Sequence, residues 1–500
     1  MLFKHDATYY ANQVKKGDIS VTELVQASLE NIKNLNPKLN AVTSVQESYA
    51  LNLANEMDEH LVTLSDEEKE ALPPFYGVPI LLKDLGQNQK GMVSTSGSKL
   101  FSENVALEND HFTESIINAG FVILGRTNVP EFGFKGISDS QTTGPVQSPF
   151  KTGYNPGGSS GGAAAAVKAG IVPIATASDG GGSIRIPANY SGLIGLKPSR
   201  GRIKVGPMSY RSWQGASINF AITKSVADTW SLLKAIQVEQ YESPFMIPKI
   251  KESELTTLDR PLRIAYSLNG SFTDNELPQK ARTAILDTKD KLEKMGHKTV
   301  EAAPEVDNVK YLKSYYVMNS VESSNMIQNI EKGLNRSITI DDVEPLTWLM
   351  AKAGDNVLAT DLSQIFNLWD QLTVKTESFF DQYDALVLPV AEGPAPKQGQ
   401  LDANADVLQR IKSVEELNPK EQQNLIWEYF DKSQTYMGFN AQINLTGQPS
   451  IALPTYQDED GWPIGVQIWT RKGNEYLLLQ LAKQFEDNGF LNTEIVKVNE

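Results

Sequence analysis

The sequence predicts an α/β fold with a mixed or parallel sheet, and three observations carry that prediction. Short apolar runs of strand character alternate along the chain with segments of helical periodicity. The 500 residues are 40% hydrophobic and 21% charged, an ordinary globular balance at a length that buries a sizeable core. Glycine is concentrated: 13 of the 36 glycines fall between Gly153 and Gly206, where such density marks backbone in special conformations or close approach.

The elements follow in order. Residues 7–36 read as two helices, the second opening on Ser20 with Glu23 three residues later, a capping box, and carrying Val21, Val25, Leu29 and Ile32 on one face. Residues 57–71 are acidic and polar, a solvated helix or loop. Gly77-Val-Pro-Ile-Leu-Leu-Lys83-Asp84 is an apolar run ended by charge, which suits a buried strand with Lys83 at its mouth. Further strands are predicted at Phe121 to Leu124, Val172 to Ala177, Arg263 to Tyr266, Ala385 to Leu388, Ser450 to Leu453 and Ile464 to Trp469. Helices are predicted around Ala281 to Lys294 and Tyr476 to Phe485. Residues 306–380 are helical in pattern and rich in aromatics, among them Tyr315, Tyr316, Trp348, Phe366 and Trp369; they read equally as a cap over a site or as an outer layer.

Composition narrows the chemistry. There is no cysteine, so thiolate nucleophiles, zinc-thiolate sites and disulfides are excluded. Histidine is scarce: His5, His60, His111 and His297. The formal charge is −15 and no basic run tracks a phosphate backbone, so direct nucleic-acid binding is disfavoured. No segment has the apolar length of a membrane span or the layout of a signal peptide, and the expected location is cytoplasmic. Nothing in the pattern specifies an oligomeric state.

The glycine-rich segment admits several readings. Gly157 to Gly162 can be a flexible linker, a phosphate-cradling helix start, or a GxSxG elbow with Ser160 as nucleophile. Against these, Ala163 to Val167 continues as a buried helix, no Walker or GxGxxG pattern is present, and an elbow needs a preceding strand and a later histidine. Ser183 is the better nucleophile, since it follows a credible strand and the run Gly180-Gly181-Gly182 leaves unhindered amides beside its hydroxyl. A serine needs a base, and with histidine scarce a buried lysine serves; Lys83 is best placed by pattern. Taken singly, Lys83 reads first as a surface lysine ending a strand and Ser183 as a turn serine; their joint context is what changes that weighting.

Gly157-Gly-Ser-Ser-Gly-Gly162, Asp179-Gly-Gly-Gly-Ser-Ile-Arg-Ile-Pro-Ala188 and Gly195-Leu-Lys-Pro198, with an interval of 24 positions from Ser159 to Ser183, resemble the amidase signature family. Gly125 to Phe132, Gly447 to Ile451 and Pro463 to Gln467 are similar to further blocks, so the resemblance spans nearly the whole chain. It implies one α/β/α sandwich domain over residues 1–500 with a mixed central sheet and an additional helical region. Residues 1–70 would form an N-terminal helical arm, and 306–380 a helical insertion near the site. By position it implies Ser183 as acylated nucleophile, Ser159 as bridging serine after a cis peptide and Lys83 as base. Gly180, Gly181, Gly182 and Ser183 would supply the oxyanion amides, with Ser160, Asp179 and Arg185 in support. Tyr210, Trp213 and Gln214, just after the signature, are candidate substrate contacts. No metal or organic cofactor is implied.

The chain departs from the commonest family pattern at Gly180, where Thr is usual, at Asn189-Tyr190-Ser191 and at Gly215 to Ala221. These variants resemble the branch of the cyclic-dimer hydrolases. The resemblance thus implies a serine hydrolase acting on a small carboxamide, peptide amide or lactam-like substrate. The alternative is the glutamine-hydrolysing A subunit of an aminoacyl-tRNA amidotransferase.

Overall fold

Why the central strands read as unbroken apolar runs is plain from their burial. The computed structural model describes residues 3–270 and 276–498, and its main sheet has eleven strands. In spatial order they are Val42–Val45, Val122–Thr127, Pro79–Lys83, Ile174–Asp179, Ile218–Thr223, Ile194–Lys197, Ser450–Leu453, Val466–Trp469, Ala385–Pro389, Arg263–Tyr266 and Lys298–Glu301. Pro79–Lys83 lies parallel to both its neighbours, and Arg263–Tyr266 to both of its own. Between these wings every pairing is antiparallel, so the sheet is mixed. Strands covered on both faces lose the polar alternation of a half-solvated sheet.

The first helix, Ala7–Lys16, is tied to the body because the Ala7 and Thr8 amides donate to Asp228 at 2.8 Å each. The second, Val21–Leu39, opens on the capping box anticipated at Ser20 and Glu23: the Glu23 amide donates to Ser20 Oγ at 3.0 Å, and the Ser20 amide to Glu23 Oε2 at 2.8 Å. Helices Val226–Ile236, Gln279–Lys294 and Glu475–Asp487 pack on the sheet. Residues 306–380 form the helices Asn308–Leu334, Pro345–Gly354 and Ala359–Phe379. Part of this block joins residues 407–430 in an apolar cluster separate from the main core.

The glycine density has a steric meaning at the helix Gly161–Lys168. A Cβ on Gly162 would stand 2.4 Å from Asn128 N and 2.5 Å from Ala41 O, so only glycine lets this helix start against the neighbouring backbone. That contact fixes where Ser159 and Ser160 leave the chain. The peptide bond between Gly158 and Ser159 is cis.

Candidate active site

Pro79–Lys83 is buried along its whole length and ends with Lys83, whose side chain has no exposed surface. The Lys83 amide donates to Gln87 Oε1 and Thr176 Oγ1, both at 2.9 Å, which closes the strand end against the parallel neighbour Ile174–Asp179. Gln87 in turn donates to Ala177 O at 3.2 Å and Asn219 Oδ1 at 3.1 Å. Lys83 Nζ is thereby directed at three oxygens: Ser159 Oγ at 2.8 Å, Ser178 Oγ at 2.9 Å and Ser178 O at 3.3 Å. Burial pushes the Lys83 ammonium down to about 7, against the opposing pull of the Asp179 carboxylate.

Above this buried lysine lies a cavity of about 460 Å³ lined by Ser159, Ser178, Gly180, Gly181 and the half-buried Ser183. Two residues 24 positions apart in the chain thus share one cavity, with Lys83 beneath its floor. The rest of the wall is largely apolar and aromatic, with Phe132, Phe134, Tyr316, Met350, Phe430 and Met437 on one side. Asn88, Asp110 and Lys204 supply polar groups elsewhere on the wall, and Met208, 77% exposed, stands at its rim.

The loop Gly180 to Ser183 is held from two sides. Asp179 accepts from Arg185 Nε at 2.9 Å and Nη2 at 3.0 Å, and from the Asn444 amide at 3.0 Å; Arg185 also donates to Gln467 and Asn444. Burial alone would raise the Asp179 carboxyl, but Arg185 first, then Lys197 and Asn444, hold it well below the usual carboxylate range. From the cavity side, Tyr315 Oη donates to Gly180 O at 2.9 Å. A Cβ on Gly181 would lie 2.5 Å from that same Oη, so glycine there is what lets the tyrosine reach.

One expected oxyanion donor is already engaged. The Gly182 N–H donates to Asp179 Oδ1 at 2.6 Å, which leaves, among the described residues, the amides of Gly180, Gly181 and Ser183 without a hydrogen-bond acceptor. Ser160 is fully buried and within 3.4 Å of both Ser178 O and Ser178 N, a packing position rather than an elbow nucleophile. His297, the histidine an elbow would need, accepts from the Leu262 amide at 3.1 Å and pairs with Gln484 at 2.7 Å. None of the four histidines lines the cavity.

Of the three expected substrate contacts, Trp213 lines the cavity. Tyr210 does not: its ring folds back over Gly206 and stacks edge-on to His111, with ring centroids 6.1 Å apart. Gln214 is likewise drawn away, donating to Glu322 at 2.7 Å. Sequence reasoning missed Gln87, Thr176 and Ser178 around the lysine, and Phe132 and Phe134 on the wall. Their only signal was proximity to Lys83, to Ser183 or to the Gly125 to Phe132 block. Tyr315 stood out as one aromatic among many in a helical stretch.

The Asp179–Arg185 pair carries a stability prediction. Both side chains are fully buried, so Arg185→Met strands a carboxylate and is expected to destabilise the protein by about 3–5 kcal/mol in urea denaturation. Adding Asp179→Asn should recover much of that loss, because the charge left unpaired is then gone.

The class is that of amide-hydrolysing enzymes: the Amidase family model matches residues 23–479, and the chain belongs to that family. Among its relatives, the 6-aminohexanoate-cyclic-dimer hydrolase of Paenarthrobacter ureafaciens is 32% identical over 492 residues, 96% of this chain and 94% of the relative. A lipoamidase of Enterococcus faecalis is 33% identical over 485 residues, 96% of this chain; the chain spans only 63% of that relative's length. The solved structure of a 6-aminohexanoate cyclic dimer hydrolase complexed with substrate superposes with a TM-score of 0.86 at 30% identity, covering 99% of both chains. The fold and family are those implied by the sequence motifs, and the similarity includes the cyclic-dimer-hydrolase branch. No helix among the described residues is long and apolar enough to cross a membrane.

Proposed function

We propose that this amidase works through an acyl-enzyme on Ser183, with Ser159 passing the proton to Lys83. The observation that supports it best is the buried Lys83 amine hydrogen-bonded to Ser159 at 2.8 Å on the floor of the cavity that Ser183 lines. A neutral amine has two N–H donors and one lone pair. Ser178 O only accepts, and Ser178 Oγ takes the other N–H, which leaves the lone pair facing the Ser159 hydroxyl.

Ser183 Oγ then attacks the amide carbonyl carbon; its proton moves to Ser159 as the Ser159 proton moves to Lys83. The oxyanion is met by the free amides of Gly180, Gly181 and Ser183, each such donor contributing roughly 3 kcal/mol in the transition state. Collapse of the tetrahedral adduct breaks the C–N bond, and the proton on Lys83 returns through Ser159 to the leaving amine. Water enters by the same relay, cleaves the acyl ester and releases the carboxylic acid. The reading calls for no cofactor. In it, residues 1–70 form an arm of a single domain and the 306–380 block an insertion contributing to the cavity wall.

The aromatic wall favours amides with an apolar acyl or ring body, among the small carboxamide, peptide amide or lactam-like substrates. Four extra methylenes at about 0.8 kcal/mol each allow up to about 200-fold in discrimination. A hexanoyl anilide is therefore expected to exceed the acetyl anilide at least about tenfold in kcat/KM. A panel including 6-aminohexanoate cyclic dimer, an amino acid amide and glutamine, read by amine or ammonia release, checks this; preference for the acetyl compound would refute it. The glutamine-hydrolysing subunit is the weaker reading, since the relatives compared above are named for a lipoamidase and a cyclic-dimer hydrolase.

Tyr315 acts in this reading as a positioning residue. Its hydrogen bond to Gly180 O fixes the plane of the Gly180–Gly181 peptide, and with it the loop whose amides meet the oxyanion. Tyr315→Phe is expected to lower kcat about tenfold or more with KM nearly unchanged. A loss confined to KM in steady-state kinetics would assign Tyr315 to ground-state binding instead.

A further inference from the structure

A second cavity, of about 500 Å³, lies beneath the C-terminal segment 489–496, and one of its walls is Lys168. With Asp179, Lys168 is one of only two charged residues between Gly153 and Ile184. It ends the helix that begins after Ser160, yet its side chain is 2% exposed. An ammonium has three donors. Among the described residues Lys168 Nζ has one acceptor, Gly192 O, at a long 3.3 Å, and otherwise faces the Phe150 ring at 5.3 Å. No carboxylate pairs with it among the described residues. Glu494 is near enough to favour its charge without contact, and Lys224 opposes it. Gly192 keeps room beside the ammonium, since a Cβ there would lie 3.3 Å from Nζ.

Such an under-coordinated buried cation, facing a cavity open to solvent on one side, is what an anion completes. We propose that this cavity is a binding site, separate from the catalytic one, for a monocarboxylate with an apolar body, its carboxylate seated on Lys168. The single charge follows from the surroundings. Lys291, the other lysine on the wall, is already neutralised by Asp287 at 2.6 Å and donates to Thr455 O, while Glu494 repels a second negative charge. The apolar body follows from Phe150, Phe490, Leu491 and Ile495 on the same wall. Tyr456 is the remaining titratable group there. Binding is linked to protons: burial pushes the Lys168 ammonium down to about 7, so the empty site is partly neutral and an anion draws a proton onto it.

The test is calorimetric titration of the full chain with sodium hexanoate near pH 7. Wild type is expected to show a hexanoate site that Lys168→Gln weakens at least about tenfold, whatever binds in the catalytic cavity remaining in both proteins. Leu491→Asp, which puts a like charge on the wall without touching the lysine, should have the same effect and serves if Lys168→Gln fails to fold. The Lys168-dependent affinity should fall about 50-fold between about pH 7 and pH 9, as the fraction of protonated lysine falls. Equal binding by wild type and both variants, or no binding to wild type, would overturn the proposal. So would 1-hexanol occupying the site as well as hexanoate does.

Discussion

Ser183→Ala is expected to abolish amide hydrolysis, with a loss of at least about 10⁴-fold in kcat and an unchanged circular dichroism spectrum. The size follows from what is removed. Without Oγ there is no acyl-enzyme, and the amides of Gly180, Gly181 and position 183 are left to polarise a carbonyl that only water attacks. Because Ser183 is half-buried at the cavity surface and its side chain makes no hydrogen bond among the described residues, truncation to alanine leaves the neighbouring Asp179–Arg185 network intact. A fluorophosphonate should label the wild type at Ser183, as read by peptide mass. Retained turnover in the folded alanine variant would refute the nucleophile assignment.

Lys83 carries the second large effect, and it is read from pH as well as from mutation. Lys83→Met keeps the volume of the stem but removes the base, and is expected to lower kcat by about 10²–10⁴-fold. In wild type the base works only when neutral. With burial holding Lys83 near 7, protonation below that pH removes the working form, and kcat/KM should fall about tenfold for each unit of further acidification. Lys83→Met should lack this acid limb in whatever activity remains. A wild-type profile that stays flat down to about pH 5 would contradict the assignment of Lys83 as base.

The parts of the molecule legible in the sequence share a physical character. Arg263–Tyr266 and Ser450–Leu453 match their predicted bounds because strands covered on both faces are written as short apolar runs ended by polar residues. Val42–Val45 and Lys298–Glu301 escaped because they are edge strands, partly exposed and polar, with no run to see. Ile194–Lys197 and Ile218–Thr223 lie in or beside a glycine-punctuated segment that breaks up the apolar runs by which a strand is seen. At the site, Lys83, Ser159 and Ser183 were legible as local patterns at a strand end and in glycine turns. Tyr315 was not, because its meaning depends on where a 27-residue helix crosses the Gly180 loop. Tyr210 and Gln214 lie off the cavity for the converse reason: sequence proximity to the signature does not specify which way the loop folds.

Met208 sits exposed at the rim of the catalytic cavity in a chain that contains no cysteine. Met208→Cys would therefore hold the molecule's only thiol, and a maleimide dye would attach there alone. Its emission would sense solvent at the cavity entrance, turning substrate arrival, acylation and product departure into a single-site optical trace without any background thiol to remove.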